Sequence, residues 1–202
     1  MRRGFLWLVL LMALLVLTDQ LSKWLIVLNF PFVWELGYSP RVLPLLADNP
    51  LLHFSLVRVH NTGVAFGTGN GTVWAPYLFL GVQVAALVIF SLLYRRGYFA
   101  GRVLKLAWAL IMAGILGNMA DRLVQGFFRP GAEALSFWQN LSRGYVVDFL
   151  DFSFPWIRTE MWPLGYHWPS FNVADSCVCT AAALFLLVSL FSPLCCKEGR
   201  GA

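Results

Sequence analysis

Long apolar runs alternate along the chain with stretches in which polar and apolar residues are mixed. The runs cover about 5–28, 74–94, 103–123 and 171–194. A helix that crosses the roughly 30 Å hydrocarbon core of a bilayer needs about 20 predominantly apolar residues. Each run reaches that length, and the second, WAPYLFLGVQVAALVIFSLLY, contains no charged residue. The pattern therefore predicts four transmembrane helices.

The two long mixed stretches, 29–73 and 124–170, contain segments in which apolar and polar side chains alternate. Residues 52–59 (LHFSLVRV) and 145–152 (YVVDFLDF) have this pattern, which is typical of strands with one buried face. We expect them to form a small sheet. The predicted fold is an all-α membrane protein of four transmembrane helices, with a small extracytoplasmic β-sheet on the outer membrane surface, in a single integral membrane domain over 1–202.

Composition agrees with a membrane protein. Of the 202 residues, 59% are hydrophobic and 12% are charged, whereas soluble domains carry about 25% charged residues. The net charge of +5 does not indicate a nucleic-acid partner, because the basic residues lie at the ends of the apolar runs and not on one polar face. The partner that the composition predicts is the phospholipid bilayer.

The basic residues of the short loops predict the orientation. They are Arg2 and Arg3 before the first run, Arg95, Arg96, Arg102 and Lys105 between the second and third, and Lys197 and Arg200 after the fourth. With four spans, all three groups lie on one side of the membrane, which the positive-inside rule makes the cytoplasm. We therefore expect both termini in the cytoplasm and both long mixed stretches outside.

Ionisable residues within the spans are few, and each is costly in the bilayer. Asp19 and Lys23 are four positions apart, the spacing at which opposite charges meet on a helix; they form either a structural ion pair or a substrate-orienting group. Asp121 lies near the outer end of the third run, beside Arg122, and Asp175 lies near the start of the fourth. Because these two helices are antiparallel, the sequence predicts that the two carboxylates meet near the outer interface.

Two neighbouring carboxylates form an acid–base pair, because like charges in a poorly solvated site cannot both ionise. The ionised member can activate water while the protonated member polarises a peptide carbonyl. This chemistry needs no cofactor. The chain has no HExxH, GxSxG or P-loop motif, and its three isolated histidines predict no metal site. For each Asp alone, the alternative is capping or pairing with a nearby base.

Two other functions remain open at this point. A small proton-coupled transporter component would also place Asp and Lys within spans, but it would need acids toward both faces, whereas Asp19, Asp121 and Asp175 all lie in the outer half. A non-enzymatic chaperone or assembly factor would need a groove but not a pair of acids.

Four segments resemble those of the lipoprotein signal peptidase (signal peptidase II) family. They are TDQLSK at 18–23, NTGVAFG at 61–67, GNMADRL at 117–123 continued by GYVVDFLD at 144–151, and FNVADS at 171–176. The segments occur in the family's order on a four-span topology. The resemblance covers residues 5–194.

The resemblance implies an aspartic endopeptidase of the bacterial inner membrane, with Asp121 and Asp175 as the catalytic dyad at the outer, periplasmic face. Its implied substrates are prolipoproteins whose lipobox Cys already carries diacylglycerol, and the cut falls just before that Cys. We expect no cofactor and a monomer. Positions that match the family's site-lining or substrate-binding residues are Asn61, Gly63, Asn118, Arg122 and Asn172. Further matching positions, which we expect to have structural or positioning roles, are Asp19, Lys23 and Asp148.

Asn118 and Asn172 each precede one of the two expected catalytic acids by three residues. Each amide therefore lies on the helical face of its Asp, where it could bond a carboxylate or the substrate backbone. The alternative for these amides is capping of a helix end.

The chain departs from the family pattern between Leu123 and Gly144, where the family has only a few residues. Residues 129–143 are consequently expected to be an insertion at the rim of the site. An insertion of this length is either a lid over the site or an inert loop.

Overall fold

The protein was analysed as a computed structural model that describes residues 2–31, 39, 41–63, 74–158 and 166–195. Its helices are α1 (Arg2–Asn29), α2 (Ala75–Arg95), α3 (Gly101–Val124), α4 (Phe137–Ser142) and α5 (Val173–Cys195). Its strands are β1 (Leu43–Leu46), β2 (His53–Asn61), β3 (Val146–Phe154) and β4 (Tyr166–His167). Residues 64–67 of the second matching segment, and the basic residues Lys197 and Arg200, lie outside the described residues.

Four of the helices, α1, α2, α3 and α5, are long and apolar enough to cross a membrane. This confirms the four predicted spans. The helix boundaries differ from the prediction by one to three residues, and two of them have a local cause. Helix α3 begins at Gly101, whose φ is +81°, a conformation that favours glycine. Helix α5 begins at Val173, after the capping residue Asn172, and not at residue 171.

A four-stranded antiparallel sheet with the order β1–β2–β3–β4 lies at one end of the bundle. The two predicted strands are its central pair, with His53 opposite Ser153 and Asn61 opposite Val146. The prediction missed β1 and β4, because four and two residues are too short to show a period of two. The expected fold class, a helical membrane protein with a small sheet, is confirmed.

Helix α3 is the central helix, in contact with α1, α2 and α5. Two glycines on α3 allow the close approach of its neighbours. A Cβ atom at Gly114 would lie 2.5 Å from the carbonyl oxygen of Ala174, and one at Gly117 would lie 2.6 Å from Asp19 Oδ2. Small residues at such crossings let membrane helices pack backbone to backbone.

The sheet packs against the end of α1. Ile26 and Phe30 of α1 form one apolar cluster with three residues on or beside β3, namely Tyr145, Val147 and Phe149. Arg58 of β2 reinforces the contact by donating hydrogen bonds to the carbonyl oxygens of Val27 at 2.9 Å and Phe30 at 2.7 Å. These contacts fix the position of β3 relative to the ends of the membrane helices.

The expected insertion, residues 129–143, is folded and contains α4. Ser136 caps this helix in a reciprocal box with Gln139, in which each side chain bonds the other residue's backbone. Asn140 is buried and donates a hydrogen bond to the carbonyl oxygen of Ala132 at 2.8 Å. Tyr77 of α2 donates from its hydroxyl to the carbonyl oxygen of Trp138 at 2.6 Å. The insertion is therefore packed against the bundle.

Candidate active site

A buried lysine lies at the centre of the polar residues between α1 and α3. Lys23 is fully buried, and its Nζ lies 2.8 Å from Asp19 Oδ2, 2.9 Å from Asp121 Oδ2 and 2.9 Å from Asn118 Oδ1. An ammonium group has three donors, so all three are used. The ion pair predicted between Asp19 and Lys23 is present, and Asp121 is its third member.

The carboxylate of Asp121 is fully engaged by its surroundings. Besides Lys23, it accepts hydrogen bonds from Gln20 Nε2 at 2.9 Å and from the backbone N–H of Val147 at 3.1 Å. Asp121 thereby connects α1, α3 and β3. Gln20 has no part in the sequence prediction, although it lies within the first matching segment, because nothing in its local pattern indicates a partner on another helix.

Asp19 has a comparable connecting position. Its Oδ1 accepts a hydrogen bond from the backbone N–H of Ala174 at 2.8 Å, an N–H in the first turn of α5 that has no partner within that helix. Asp19 and its partner Lys23 thus connect α1 to both α3 and α5. Since both carboxylates are buried and share this one cation, removing Lys23 would leave Asp19 and Asp121 buried and uncompensated.

A reciprocal capping box fixes Asp175 at the start of α5. Asn172 Oδ1 accepts from the backbone N–H of Asp175 at 3.0 Å, and Asp175 Oδ2 accepts from the backbone N–H of Asn172 at 3.2 Å. This is the arrangement of an N-cap residue and the residue three positions later. The capping alternative for Asn172 is therefore present in the structure.

The Asn172 side chain also reaches the sheet. Its Nδ2 donates to Asp148 Oδ1 at 2.7 Å, so one residue bonds both Asp148 and Asp175. Asp148 Oδ2 accepts a further hydrogen bond from Asn61 Nδ2 at 3.1 Å. Asn118 Nδ2 donates to Asp175 Oδ1 at 2.8 Å, and not to Asp121, the acid on its own helix that spacing alone indicated.

Asp148 carries a perturbed carboxyl group. It lies on β3, outside the membrane spans, and is 3% exposed. Burial, followed by the negative charge of Asp175, raises the pKa of Asp148 to about 7, although the hydrogen bonds from Asn61 and Asn172 act in the opposite direction. At neutral pH this carboxyl group is therefore poised between its protonated and ionised forms, as a shared proton in a dyad requires.

A cavity of about 220 Å³ opens beside these groups. Five of the predicted site residues line it: Asn61, Gly63, Asn118, Arg122 and Asp175. Asp121 is not in its wall. Asp148 is not in its wall either, but it accepts a hydrogen bond from Asn61, which is. The cavity therefore has one acid, Asp175, in its wall, and a second, Asp148, bonded to an amide of that wall.

Arg122 contributes unused donors to this cavity. Its Nη2 donates to the carbonyl oxygen of Gly63 at 2.7 Å, and its guanidinium lies 5.1 Å from the ring centre of Phe79 on α2. Among the described residues, its Nε and Nη1 have no hydrogen-bond partner. Buried donors without partners are unfavourable unless a ligand accepts from them.

The structure brings the ten predicted site residues together at one end of the bundle, in two groups. Asp19, Lys23 and Asp121 form the ion-pair group between the helices. The cavity group consists of Asn61, Gly63, Asn118, Arg122, Asp148, Asn172 and Asp175. Asn118 joins the groups, because its Oδ1 accepts from Lys23 and its Nδ2 donates to Asp175. Asp121 and Asp175 are thus linked through Lys23 and Asn118.

Sequence comparisons agree with the geometry. A model of the family described as Signal peptidase (SPase) II matches residues 11–191. The chain is 32% identical over 188 residues to the lipoprotein signal peptidase of Alteromonas mediterranea, covering 93% of this chain and 80% of the relative. It is 34% identical over 178 residues to that of Shewanella halifaxensis, covering 88% and 82% respectively.

Two solved structures of bacterial membrane enzymes have a similar fold. One has a TM-score of 0.65 at 20% identity, over 96% of this chain and 93% of that chain. The other has a TM-score of 0.60 at 22% identity, over 91% and 92% respectively. These likenesses concern the fold alone. The match over residues 11–191 and relatives more than 30% identical over most of both chains show that this chain belongs to the signal peptidase II family.

Proposed function

We propose that this chain is an aspartic endopeptidase that removes the signal peptide from diacylglyceryl-modified prolipoproteins, cutting just before the lipidated Cys. Membership of the signal peptidase II family and the name lipoprotein signal peptidase of its relatives support this activity. The acyl chains of a lipidated Cys keep it at the membrane interface. The scissile bond is then at the level where α3 and α5 carry their polar residues.

The catalytic pair in this proposal is Asp148 and Asp175. The observation that carries it is the position of Asn172, which bonds Asp148 through its side chain and Asp175 through its backbone. This assignment replaces Asp121, the acid expected from depth along the spans. The carboxylate of Asp121 is already paired with Lys23 and accepts two further hydrogen bonds, which favours a positioning role.

The proposed reaction is the attack of water on the scissile carbonyl carbon without a covalent intermediate. Asp175 in its ionised form takes a proton from water, while Asp148 in its protonated form donates its proton to the carbonyl oxygen. The resulting tetrahedral diol collapses when Asp175 passes its proton to the leaving nitrogen and Asp148 recovers a proton from a diol hydroxyl. The products are a carboxylic acid and an amine, and the dyad returns to its starting protonation.

Asn61 and Arg122 have substrate-binding roles in this proposal. The amide of Asn61 donates a hydrogen bond to Asp148. When a peptide accepts this hydrogen bond instead, Asp148 is free to bond the scissile carbonyl. The free Nε and Nη1 of Arg122 donate to backbone carbonyl oxygens of the peptide. The ion-pair group, Asp19, Lys23 and Asp121, acts by positioning α1, α3 and α5.

The proposed location is the bacterial inner membrane, with both termini in the cytoplasm and the site at the periplasmic face. The exposed basic residues at the link between α2 and α3, which include Arg95, Arg96 and Arg102, support this orientation by the positive-inside rule. We propose that the enzyme acts as a monomer, because the two acids, their amides and the cavity all come from one chain. The transporter alternative receives no support from the relatives.

The test is cleavage of a synthetic prolipoprotein peptide by the full chain in lipid nanodiscs. The peptide is offered with and without diacylglyceryl on its Cys, and products are identified by mass spectrometry. We expect a single cut just before the lipidated Cys and no cut in the unlipidated peptide. Asp175→Asn should abolish the cut. An uncleaved lipidated peptide, or full activity of Asp175→Asn, would overturn the proposal.

A further inference from the structure

The insertion and the short 3₁₀ helix before it carry a set of exposed aromatic side chains. We define the aromatic patch as Phe127 and Phe128, in the short 3₁₀ helix that follows α3, together with Phe137 and Trp138 of α4. Phe128, Phe137 and Trp138 are 60%, 58% and 66% exposed. A patch of large apolar side chains on a packed segment indicates a contact surface.

Three of the four rings of the patch are in contact with one another. The ring centres of Phe127 and Phe137 are 5.4 Å apart, and those of Phe137 and Trp138 are 5.3 Å apart. Phe128 packs edge-on against Trp24 of α1 at 5.0 Å. Through Phe128, the patch therefore reaches α1, one of the four spans.

The depth of the patch follows from its contacts. The carbonyl of Trp138 is bonded by Tyr77, in the first turn of α2, and Phe127 lies one turn beyond the end of α3. With a rise of about 1.5 Å per helical residue, the patch lies within about one turn of the ends of both spans. This is the level of the headgroups, where Trp and other aromatic residues are enriched.

The packing of the insertion gives the patch a fixed direction. A Cβ atom at Gly126 would overlap the carbonyl oxygen of Asn140, so α4 lies directly on the 3₁₀ helix. Asn140 and Leu141 form the buried side of α4, whereas Phe137 and Trp138 point away from the protein.

We propose that the insertion is a membrane-interface anchor, whose aromatic patch is immersed in the headgroup region of the bilayer on the side that carries the sheet. Its partner is the lipid surface itself. This role differs from both a lid and an inert loop, the two functions that the length of the insertion left open. It is independent of the proposed peptidase activity.

Fluorescence of the full chain in vesicles of brominated phosphatidylcholine tests this proposal. The contribution of Trp138, called the Trp138 component, is the difference in fluorescence between the wild type and Trp138→Phe. This substitution keeps an aromatic ring. We expect bromines placed near the headgroups to remove most of this component, and bromines placed near the bilayer centre to remove less.

Two other tryptophans provide controls, because the fluorescence of each can be isolated by the same comparison of the wild type with a Trp→Phe variant. Trp7, which is 72% exposed on α1, should also be quenched by brominated lipid, whereas Trp108, buried among α1, α2 and α3, should not. A Trp138 component that is insensitive to bromine, or more sensitive to the deep than to the shallow label, would overturn the proposal.

A second inference concerns Gln83, a polar residue within span α2. Its side chain lines the cavity, and its Oε1 is buried without a hydrogen-bond partner among the described residues. Gln83 lies one turn after Phe79 and therefore on the same face of α2. Phe79 is the ring over which Arg122 lies. The side chains that line the cavity thus include donors on Arg122 and an acceptor on Gln83 that have no partner in the described part of the chain.

We infer that Gln83 is a substrate-positioning residue, whose Oε1 accepts a hydrogen bond from a backbone N–H of the peptide. An extended peptide offers both partners, since its carbonyl groups accept from Arg122 and its N–H groups donate to Gln83. This inference rests on the proposed peptidase function.

The test compares Gln83→Leu with the wild type on the lipidated peptide and on versions N-methylated at single backbone positions. We expect Gln83→Leu to raise KM about fivefold, the effect of one neutral hydrogen bond, with kcat nearly unchanged. N-methylation at one backbone position should raise the KM of the wild type by a similar factor. The same N-methylation should not raise the KM of Gln83→Leu any further.

Val84→Leu, at a lipid-facing neighbour on α2, is the matched control and should leave KM unchanged. An unchanged KM in Gln83→Leu, or additive effects at every N-methyl position, would overturn the role of Gln83. In both cases cleavage itself persists, so this failure is distinct from failure of the proposed activity, in which no variant would cleave.

Discussion

Asn172 donates a hydrogen bond from its side chain to Asp148 at 2.7 Å, joining the N-cap residue of a membrane helix to a strand of the sheet. The same residue caps α5 through Asp175. One side chain therefore determines how two carboxyl groups, 27 positions apart in the sequence, are placed relative to one another.

Asp148→Asn should reduce kcat by about 10³-fold or more, because it removes a proton donor that acts in the transition state. Asp121→Asn should retain cleavage in its folded fraction but lower the melting temperature, since Lys23 loses a buried partner. Both variants are assayed on the lipidated peptide, with thermal unfolding followed in parallel.

The matched control is Asp151→Asn, on the same strand as Asp148. Asp151 interacts with His167 and Ser170 on the sheet and should be dispensable for cleavage. Full activity of Asp148→Asn together with loss of activity in folded Asp121→Asn would restore the dyad expected from the sequence alone.

Activity should fall as pH rises through about 7. The pKa of Asp148 is raised to about 7 by burial and by the charge of Asp175, so its proton is lost above that pH and the donor with it. The measurement is the pH profile of kcat/KM, which reports the pKa values of the free enzyme. A profile that is flat from pH 6 to 9 would contradict the assignment.

The same pKa makes stability depend on pH in a defined direction. The folded state binds the Asp148 proton more tightly than the unfolded state, whose pKa is the ordinary 3.8. Stability is therefore lost as pH rises from about 4 to about 7. We expect the melting temperature to fall over this interval, and to fall less in Asp148→Asn.

Asn172→Ser and Asn172→Ala separate the two roles of this residue. Serine is also a good N-cap, whereas alanine costs about 1 kcal/mol of stability at that position. Neither side chain reaches Asp148. We expect Asn172→Ala to be less stable than Asn172→Ser, and both to lose most of kcat. Recovery of wild-type kcat in Asn172→Ser would mean that capping alone is required.

Lys23→Met should destabilise the protein by about 3–5 kcal/mol, because Asp19 and Asp121 would remain buried without their cation. Adding Asp121→Asn to this variant should restore part of the loss, since one of the two unpaired charges is removed. Chemical unfolding in detergent micelles measures both. No rescue by the second substitution would argue against the ion-pair group as the cause.

Gly117→Ala should destabilise the bundle, because the added methyl group would lie 2.6 Å from Asp19 Oδ2 and displace a buried ion pair. Gly81→Ala, on α2, is the control, since a Cβ atom there has no neighbour within 4 Å. We expect a lower melting temperature for the first variant alone. Equal melting temperatures would mean that α1 can move away from α3 without cost.

The four spans and the central strands were predictable because each is encoded locally, by apolar length or by alternation. The sequence predicted which residues form the site, but not which of them bond to one another. The i, i+4 spacing identified Asp19 as one partner of Lys23, but it carries no information about Asp121 on another helix. Counting residues along the spans placed Asp121 and Asp175 at the same depth in the membrane. Asp148 could not be placed in this way, because the depth of a strand is unknown until the packing of the sheet on the helices is known.

The two acids of the proposed dyad belong to different layers of the molecule. Asp175 moves with a membrane helix and Asp148 with the sheet that packs on Ile26 and Phe30 of α1. Solvents or detergents that loosen this packing should therefore abolish hydrolysis while the helical content stays intact. The rate of hydrolysis would then report whether the sheet is packed against α1, which circular dichroism of the helices does not detect.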